Sequence, residues 1–134
     1  MKLLLDTHAV VWWWLDDPRL PVRARGMIAA TANTVWVSSV SAWEVATKNR
    51  LGKWPDAERP GLERIVAEFP DLLRRSRFMP LSISIEHARL AGTLNGAHRD
   101  PFDRMLIAQS KQEEAALITC DAVFGEYGVD VIWA

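Results

Sequence analysis

The sequence predicts an α/β fold around a central, mostly parallel sheet of four to five strands. Three observations carry this. Short apolar runs recur through the chain, as in Leu3-Leu4-Leu5, Val35-Trp36-Val37 and Ala116-Leu117-Ile118. They are continuous rather than alternating, as expected for strands buried on both faces. Longer amphipathic stretches that read as helices separate them, and that alternation is the pattern of crossover connections. The 134 residues show no repeat, linker or low-complexity tract, so residues 1–134 are expected to form a single unit.

Taken in order, Leu3-Leu4-Leu5 is the first strand, ended by the charge of Asp6. Thr7 to Leu15 reads as a helix that Asp16-Asp17-Pro18 stops. Pro21 opens a second helix to about Ala32, and Val35–Ser38 is the second strand. Ser41 to Leu51 is helical, with Gly52 as its C-terminal stop. Lys53 to Phe78 is the hardest stretch to read. Pro55, Pro60, Gly61 and Pro70 punctuate it, and helical segments are expected near Leu62–Phe69 and Leu72–Ser76. Met79-Pro80-Leu81 borders a short strand, and Ser84 caps a helix through Gly92. A loop, Thr93–Arg99, precedes a strong helix that Asp100-Pro101 starts and that extends to about Ala115. Ala116–Thr119 is the next strand, Asp121–Tyr127 a short helical turn, and Val129–Trp133 the last strand.

Composition excludes several classes. Sixteen Lys and Arg against seventeen Asp and Glu leave a net charge of −1, which argues against a surface built wholly for phosphate. The total hides an asymmetry: residues 1–77 carry a balance of +3 and residues 78–134 one of −4. Near-neutrality therefore does not exclude a nucleic-acid enzyme; it implies modest non-specific affinity. The single Cys120 allows neither an internal disulfide nor a cysteine-rich zinc site, which suits a reducing compartment. The N-terminal apolar run meets Asp6 too soon for a signal peptide, and no run is long enough to span a bilayer. A cytoplasmic protein with no membrane partner is expected.

The carboxylates supply the functional signal. Asp6, Glu44, Asp103 and Asp121 each fall just past a strand or in the first turn of a helix. In parallel α/β sheets, sites gather beyond the carboxyl ends of the strands. Each acid also has a local alternative. Ser41-Ala42-Trp43-Glu44 fits a capping box, Asp100 suits an N-cap before Pro101, and Asp6 and Asp121 can cap the helices that follow them. As a set, four converging carboxylates repel one another, a cost that a bound divalent cation relieves. All-oxygen ligands favour Mg²⁺ or Mn²⁺ over zinc. Such an ion activates water and neutralises charge on a phosphodiester, so metal-assisted phosphodiester hydrolysis is the implied chemistry.

Four segments then resemble a known family: Leu5-Asp6-Thr7-His8, Trp43-Glu44, His98-Arg99-Asp100-Pro101-Phe102-Asp103-Arg104-Met105-Leu106-Ile107-Ala108-Gln109 and Ile118-Thr119-Cys120-Asp121. They are similar to PIN-domain ribonucleases, more narrowly to VapC-type toxins of toxin–antitoxin pairs. The resemblance runs over nearly the whole chain. It implies a PIN-like three-layer α/β/α fold and an acidic Mg²⁺ pocket with Asp6 and Asp103 as ligands. Glu44 would shape the pocket or hold a second ion, and Asp121 would complete the quartet, through water. Asp100 would support the motif. The resemblance also implies an RNA substrate, a cognate antitoxin that neutralises the enzyme, and a homodimer or toxin–antitoxin hetero-oligomer. Two departures stand out. Leu94–His98 lacks a proline and a second histidine common in that loop, and Glu113-Glu114-Ala115-Ala116 replaces a common glycine turn.

Around the quartet, the Thr7 hydroxyl could bond a metal ligand or water, or simply start a helix. Arg99 and Arg104 flank the motif as candidate phosphate contacts, although Arg104 could pair with Asp100 one helical turn away. Lys48, Arg50 and Lys53 form a candidate phosphate track or a solvated helix face. His8 and His98 fall near the expected pocket and read as surface or capping residues, and His87 reads as structural. Trp12, Trp13 and Trp14 project about 100° apart on a helix, so at least one should be partly exposed, a candidate partner surface. Two other classes compete. A phosphoacceptor domain needs an acidic pair after the first strand and a late lysine, both absent here. A PIN-like binding module would not need the intact quartet.

Overall fold

The computed structural model describes residues 1–54, 59–96 and 100–133. The elements run β1 (Lys2–Leu5), α1 (Thr7–Trp14), α2 (Val22–Ala29), β2 (Thr34–Ser38), α3 (Ser39–Leu51) and α4 (Arg59–Ser76). They continue with β3 (Met79–Leu81), α5 (Ile85–Thr93), α6 (Pro101–Glu113), β4 (Ala116–Thr119), a 3₁₀ turn (Ala122–Tyr127) and β5 (Val131–Trp133). The five strands pair in the order β3-β2-β1-β4-β5, and every pair is parallel. β1 therefore sits at the centre, its residues Leu3, Leu4 and Leu5 wholly buried.

Strand alternation divides those leucines between two cores. Leu3 and Leu5 pack with Val10 of α1, Ala24 of α2 and Leu62, Ile65 and Phe69 of α4. Leu4 points the other way, onto Leu106 and Ile107 of α6 and Phe124. A sheet buried on both faces with helices on each side is the expected three-layer α/β/α arrangement.

Two expectations are corrected, and a third, on the tryptophans, is sharpened. The two helical segments expected between Leu62 and Ser76 are one helix, α4, which runs straight through Pro70. Proline removes one backbone bond, but Leu62, Ile65 and Phe69 bury on one face and hold the helix together through packing. α3 begins two residues earlier than Ser41, with Ser38 as its N-cap through its bond from the Val40 amide at 3.0 Å. The tryptophan run is partly exposed, as its spacing requires, with Trp13 and Trp14 half-buried. Trp12 is buried against Trp133, Trp13 leans on Phe78, and Trp14 meets Phe69 edge-on while its indole N–H donates to Ser76 Oγ at 2.8 Å. α1 is flanked by the sheet on one side and α4 on another, so three successive positions find apolar partners. Trp13 and Trp14 stay half-buried, whereas the largely exposed indole is Trp43, at 58%.

The helix ends follow the sequence closely. Gly52 stops α3 in the left-handed region, at φ 64°. Ser84 and His87 form a reciprocal capping box at the start of α5, which makes His87 structural as expected. Glu114, where the sequence departs from a glycine turn, closes α6 at φ 53°. This turn lies at the C-terminal end of α6, and Asp100 and Asp103 lie at its other end. Among the described residues no helix is long and apolar enough to cross a membrane.

Candidate active site

The carboxyl ends of β1 and β4 and the N-terminal part of α6 converge on a cleft of about 430 Å³. Asp6, Glu44, Lys48, Asp100, Asp103 and Asp121 all line it. The four acids singled out from the sequence are thus brought together, although they are spread over 116 positions of chain.

Asp6 is placed by the strand behind it and the helix ahead of it. Its amide bonds Ile118 of β4 at 2.9 Å, and its Oδ1 accepts the Thr7 amide at 2.6 Å as the N-cap of α1. Oδ2 accepts the Thr119 hydroxyl at 2.8 Å. The capping alternative is therefore real, but it does not exhaust the residue: Asp6 also faces the cleft while only 5% exposed. Burial pushes its pKa above the ordinary carboxylate value. The Thr119 hydroxyl and His8 oppose that rise, Glu44 adds to it, and the Thr7 amide opposes it.

Glu44 is 2% exposed. With α3 starting at Ser39, it lies beyond the first turn and takes no part in a capping box, contrary to the local alternative. Its Oε2 is held by the Lys48 ammonium one turn along the helix, and its Oε1 has no hydrogen-bond partner. Lys48 is thus paired within the acid cluster while its side chain stays 26% exposed. Burial works to lower the Lys48 pKa, but the hydrogen bond and charge of Glu44, with Asp100 and Asp103, raise it overall. Its ammonium also lies 5.7 Å from the Trp54 ring centroid.

Asp100 caps α6, accepting the amides of Phe102 at 2.9 Å and Asp103 at 3.3 Å. That frame fixes the first turn of α6 from which Asp103 reaches the cleft. Asp121 caps the 3₁₀ turn through the Val123 amide at 3.0 Å and is exposed, at the solvent side of the cleft. His8 stacks on Trp54 at 4.9 Å and edges Trp12. Arg99 and His98 lie outside the described residues.

Thr7 is the first residue of α1, the helix-start reading of the sequence. The Thr7 hydroxyl is wholly buried and pairs with Ser41 Oγ at 3.0 Å, tying α1 to α3 beneath the acids. Arg104 donates to the carbonyls of Ala91 at 3.0 Å and Leu94 at 2.6 Å, satisfying the C-terminal end of α5. These two bonds tie α5 to α6. Thr119 was missed by the sequence reading. Its hydroxyl donates to Asp6 and accepts the Asp121 amide at 3.1 Å, so it fixes two of the acids at once. The signal was present in Ile118-Thr119-Cys120-Asp121, where a hydroxyl sits two residues before an acid at a strand end. Cys120 also lines the cleft; burial first and then Asp6 push its thiol pKa up, so it stays uncharged at neutral pH.

The cleft's fit to a divalent cation can be judged from these contacts. The donors are carboxylate oxygens, and a buried one, Glu44 Oε1, lacks any partner. An unsatisfied buried carboxylate oxygen is costly, and a cation satisfies it. Among the described residues no group of three or more His, Cys, Asp or Glu side chains is already arranged to hold a metal ion. Mg²⁺ keeps several waters and takes one or two carboxylates directly, a demand that the open Glu44 Oε1 and the neighbouring Asp6 of the cleft can meet. The residues fit the ion.

The PIN-domain family profile matches residues 3–129. The chain belongs to the PIN-domain family. Ribonuclease VapC16 of Mycobacterium tuberculosis is 36% identical over 74 residues, which cover 52% of this chain and 49% of the relative. The match thus spans about half the length of that curated relative. Among solved structures, the VapBC2 assembly of Rickettsia felis bound to a promoter DNA fragment contains a chain with TM-score 0.69 at 18% identity, over 98% of both chains. VapBC-1 of nontypeable Haemophilus influenzae gives TM-score 0.66 at 16% identity, over 98% of this chain and 97% of that one. At such identities the likeness establishes the PIN fold.

Proposed function

We propose that this PIN domain is a divalent-metal-dependent endoribonuclease acting as the toxin of a toxin–antitoxin pair, with Mg²⁺ as its ion and Mn²⁺ as an effective substitute. One observation carries the reading: buried Asp6 and buried Glu44, the latter with an unpartnered Oε1, share a cleft with Asp103 and Asp121. Uncompensated, that arrangement costs stability; with a cation it becomes a phosphodiester site.

Asp6 and Asp103 would hold the ion directly, Glu44 would approach it through Oε1, and Asp121 would bond its water shell. When bound, the ion would supply acidification of a water molecule and neutralisation of phosphate charge. The chain's own residues do the positioning. Thr119 fixes the Asp6 carboxylate and the backbone at Asp121. Asp100 holds the first turn of α6 under Asp103. The curated ribonuclease relative supports the activity, and the toxin–antitoxin assemblies among the structural neighbours support an antitoxin partner.

Cleavage of total RNA by the purified protein tests the reading, with ends mapped in Mg²⁺ and in EDTA, for wild type and Asp6→Asn. Metal-dependent cleavage lost in Asp6→Asn is expected. Equal cleavage by both proteins, or cleavage that persists in EDTA, would sink the assignment. Co-expression with the adjacent small gene product, where one is encoded, should relieve growth arrest.

A further inference from the structure

The cleft already contains a cation. The Lys48 ammonium contacts Glu44 Oε2 and shares the cleft with Asp100 and Asp103 at the start of α6. Its side chain is 26% exposed while that of Glu44 is 3% exposed, so the lysine reaches inward to a buried anion from the cleft wall. Its ammonium is also within reach of the Trp54 face. A lysine on the outer face of α3 would be free to track phosphate; this one is spent on neutralising the acids.

Lys48 and a divalent ion have the same electrostatic task. Glu44 is shared between them: Oε2 is taken and Oε1 is open. A 2+ ion arriving at Glu44 meets a fixed positive charge on the same buried carboxylate, and the repulsion between them weakens its binding. We propose that Lys48 is the cleft's resident counter-cation, holding Glu44 until a divalent ion displaces it, so that Lys48 sets the cleft's affinity for metal. The displaced ammonium remains at the cleft wall, where it can meet substrate phosphate. Metal loading and RNA binding are thereby linked through one side chain. This inference rests on the metal-dependent reading above.

The test is titration of Mn²⁺ into metal-stripped protein, followed by calorimetry and by electron paramagnetic resonance of free Mn²⁺. Wild type is compared with Lys48→Met, which keeps the apolar stem, and with Lys48→Arg, which keeps the charge. Lys48→Met should bind Mn²⁺ about tenfold or more tightly than wild type, and Lys48→Arg should stay within about threefold of it. Equal affinity in wild type and Lys48→Met overturns the proposal, and so does weaker binding, which would make Lys48 a support for the metal. Absence of binding in both proteins overturns it too.

A second measurement needs no variant. Acetylation of Lys48 in the wild-type protein, read by mass spectrometry, should rise by about threefold or more when Mn²⁺ is added, as the ammonium leaves Glu44. Unchanged or reduced labelling refutes displacement. The two readings fail differently. If wild type cleaves RNA only with metal but Lys48→Met binds Mn²⁺ no better, this inference falls alone. If wild type neither binds metal nor cleaves RNA, both fall.

Discussion

Replacing Asp6 with asparagine should make the metal-free protein more stable while abolishing RNA cleavage. The shapes match, so the balance is electrostatic. In wild type the carboxylate accepts from the Thr7 amide and the Thr119 hydroxyl. Hydrogen bonds to a charged group contribute about 1.5–3 kcal/mol and neutral ones about 0.5–1.5. The asparagine carbonyl keeps the Thr7 amide, and its amide group faces a Thr119 hydroxyl that must turn from donor to acceptor. The change forfeits about 2 kcal/mol over the two. Against this stands the desolvation of a buried carboxylate, worth several kcal/mol per ion, to which Glu44 adds repulsion. The direction of the Asp6 pKa decides which is larger: it is raised, so the ionised form is disfavoured on folding despite its bonds and His8. Asp6→Asn should therefore gain on the order of 1 kcal/mol at pH 7.5, or about 3–5 °C in Tm for a domain of this size. The sign with pH follows. A raised folded pKa means that stability is lost as pH climbs above the unfolded value of 3.8, so the gap between the proteins should close below about pH 4. Calorimetric melts in EDTA read both. Metal should then reverse the order, since a ligand at 100 times its Kd adds about 2.7 kcal/mol to the protein that binds it. An Asp6→Asn protein that melts at or below wild type in EDTA refutes the reasoning.

Other changes test the frame around the cleft. Arg104→Ala removes charged donors from the Ala91 and Leu94 carbonyls and should cost about 2 kcal/mol in urea unfolding, with residual cleavage per folded molecule near that of wild type. Glu114→Gly should stabilise by about 0.5–1 kcal/mol, because glycine holds φ 53° without the left-handed penalty; a lower urea midpoint would contradict it. Asp17 is held down to a pKa of about 2, first by the Arg19 side chain and then by the Arg19 amide. A depressed folded pKa gives stability that is present above about pH 4 and lost as pH falls through 2, so Asp17→Asn should flatten the acid limb of the stability profile, modestly because the pair is solvated.

The fold was legible where burial dominates. Continuous apolar runs such as Leu3–Leu5 can be satisfied only between two layers of helix, and that requirement alone implies the three-layer order. Pro70 shows the opposite case. Local chemistry marks it as a break, but the buried face of α4 outweighs the one bond proline removes. The tryptophan run was half legible: its spacing implied partial exposure but not which ring is buried. Helical geometry spreads three successive rings, and only the tertiary placement of α1 beside α4 gives each an apolar neighbour.

The acids were legible because carboxylates at the ends of parallel strands have few inexpensive structural explanations. Their partners were harder to read, because partnership depends on which rotamer reaches which neighbour. Arg104 looked like a phosphate ligand from its place in the motif, yet its guanidinium lies where α5 leaves carbonyls unpaired. Lys48 looked like part of a basic track, yet the one-turn spacing from Glu44 on α3 draws it inward once that glutamate is buried. Thr119 carried no charge to attract notice. Basic residues near an acidic cleft are read correctly only after the acids' own electrostatic demand is counted. Here Glu44 claims Lys48 before any substrate can, and the chain's near-zero net charge is consistent with a cleft that brings part of its own neutralisation.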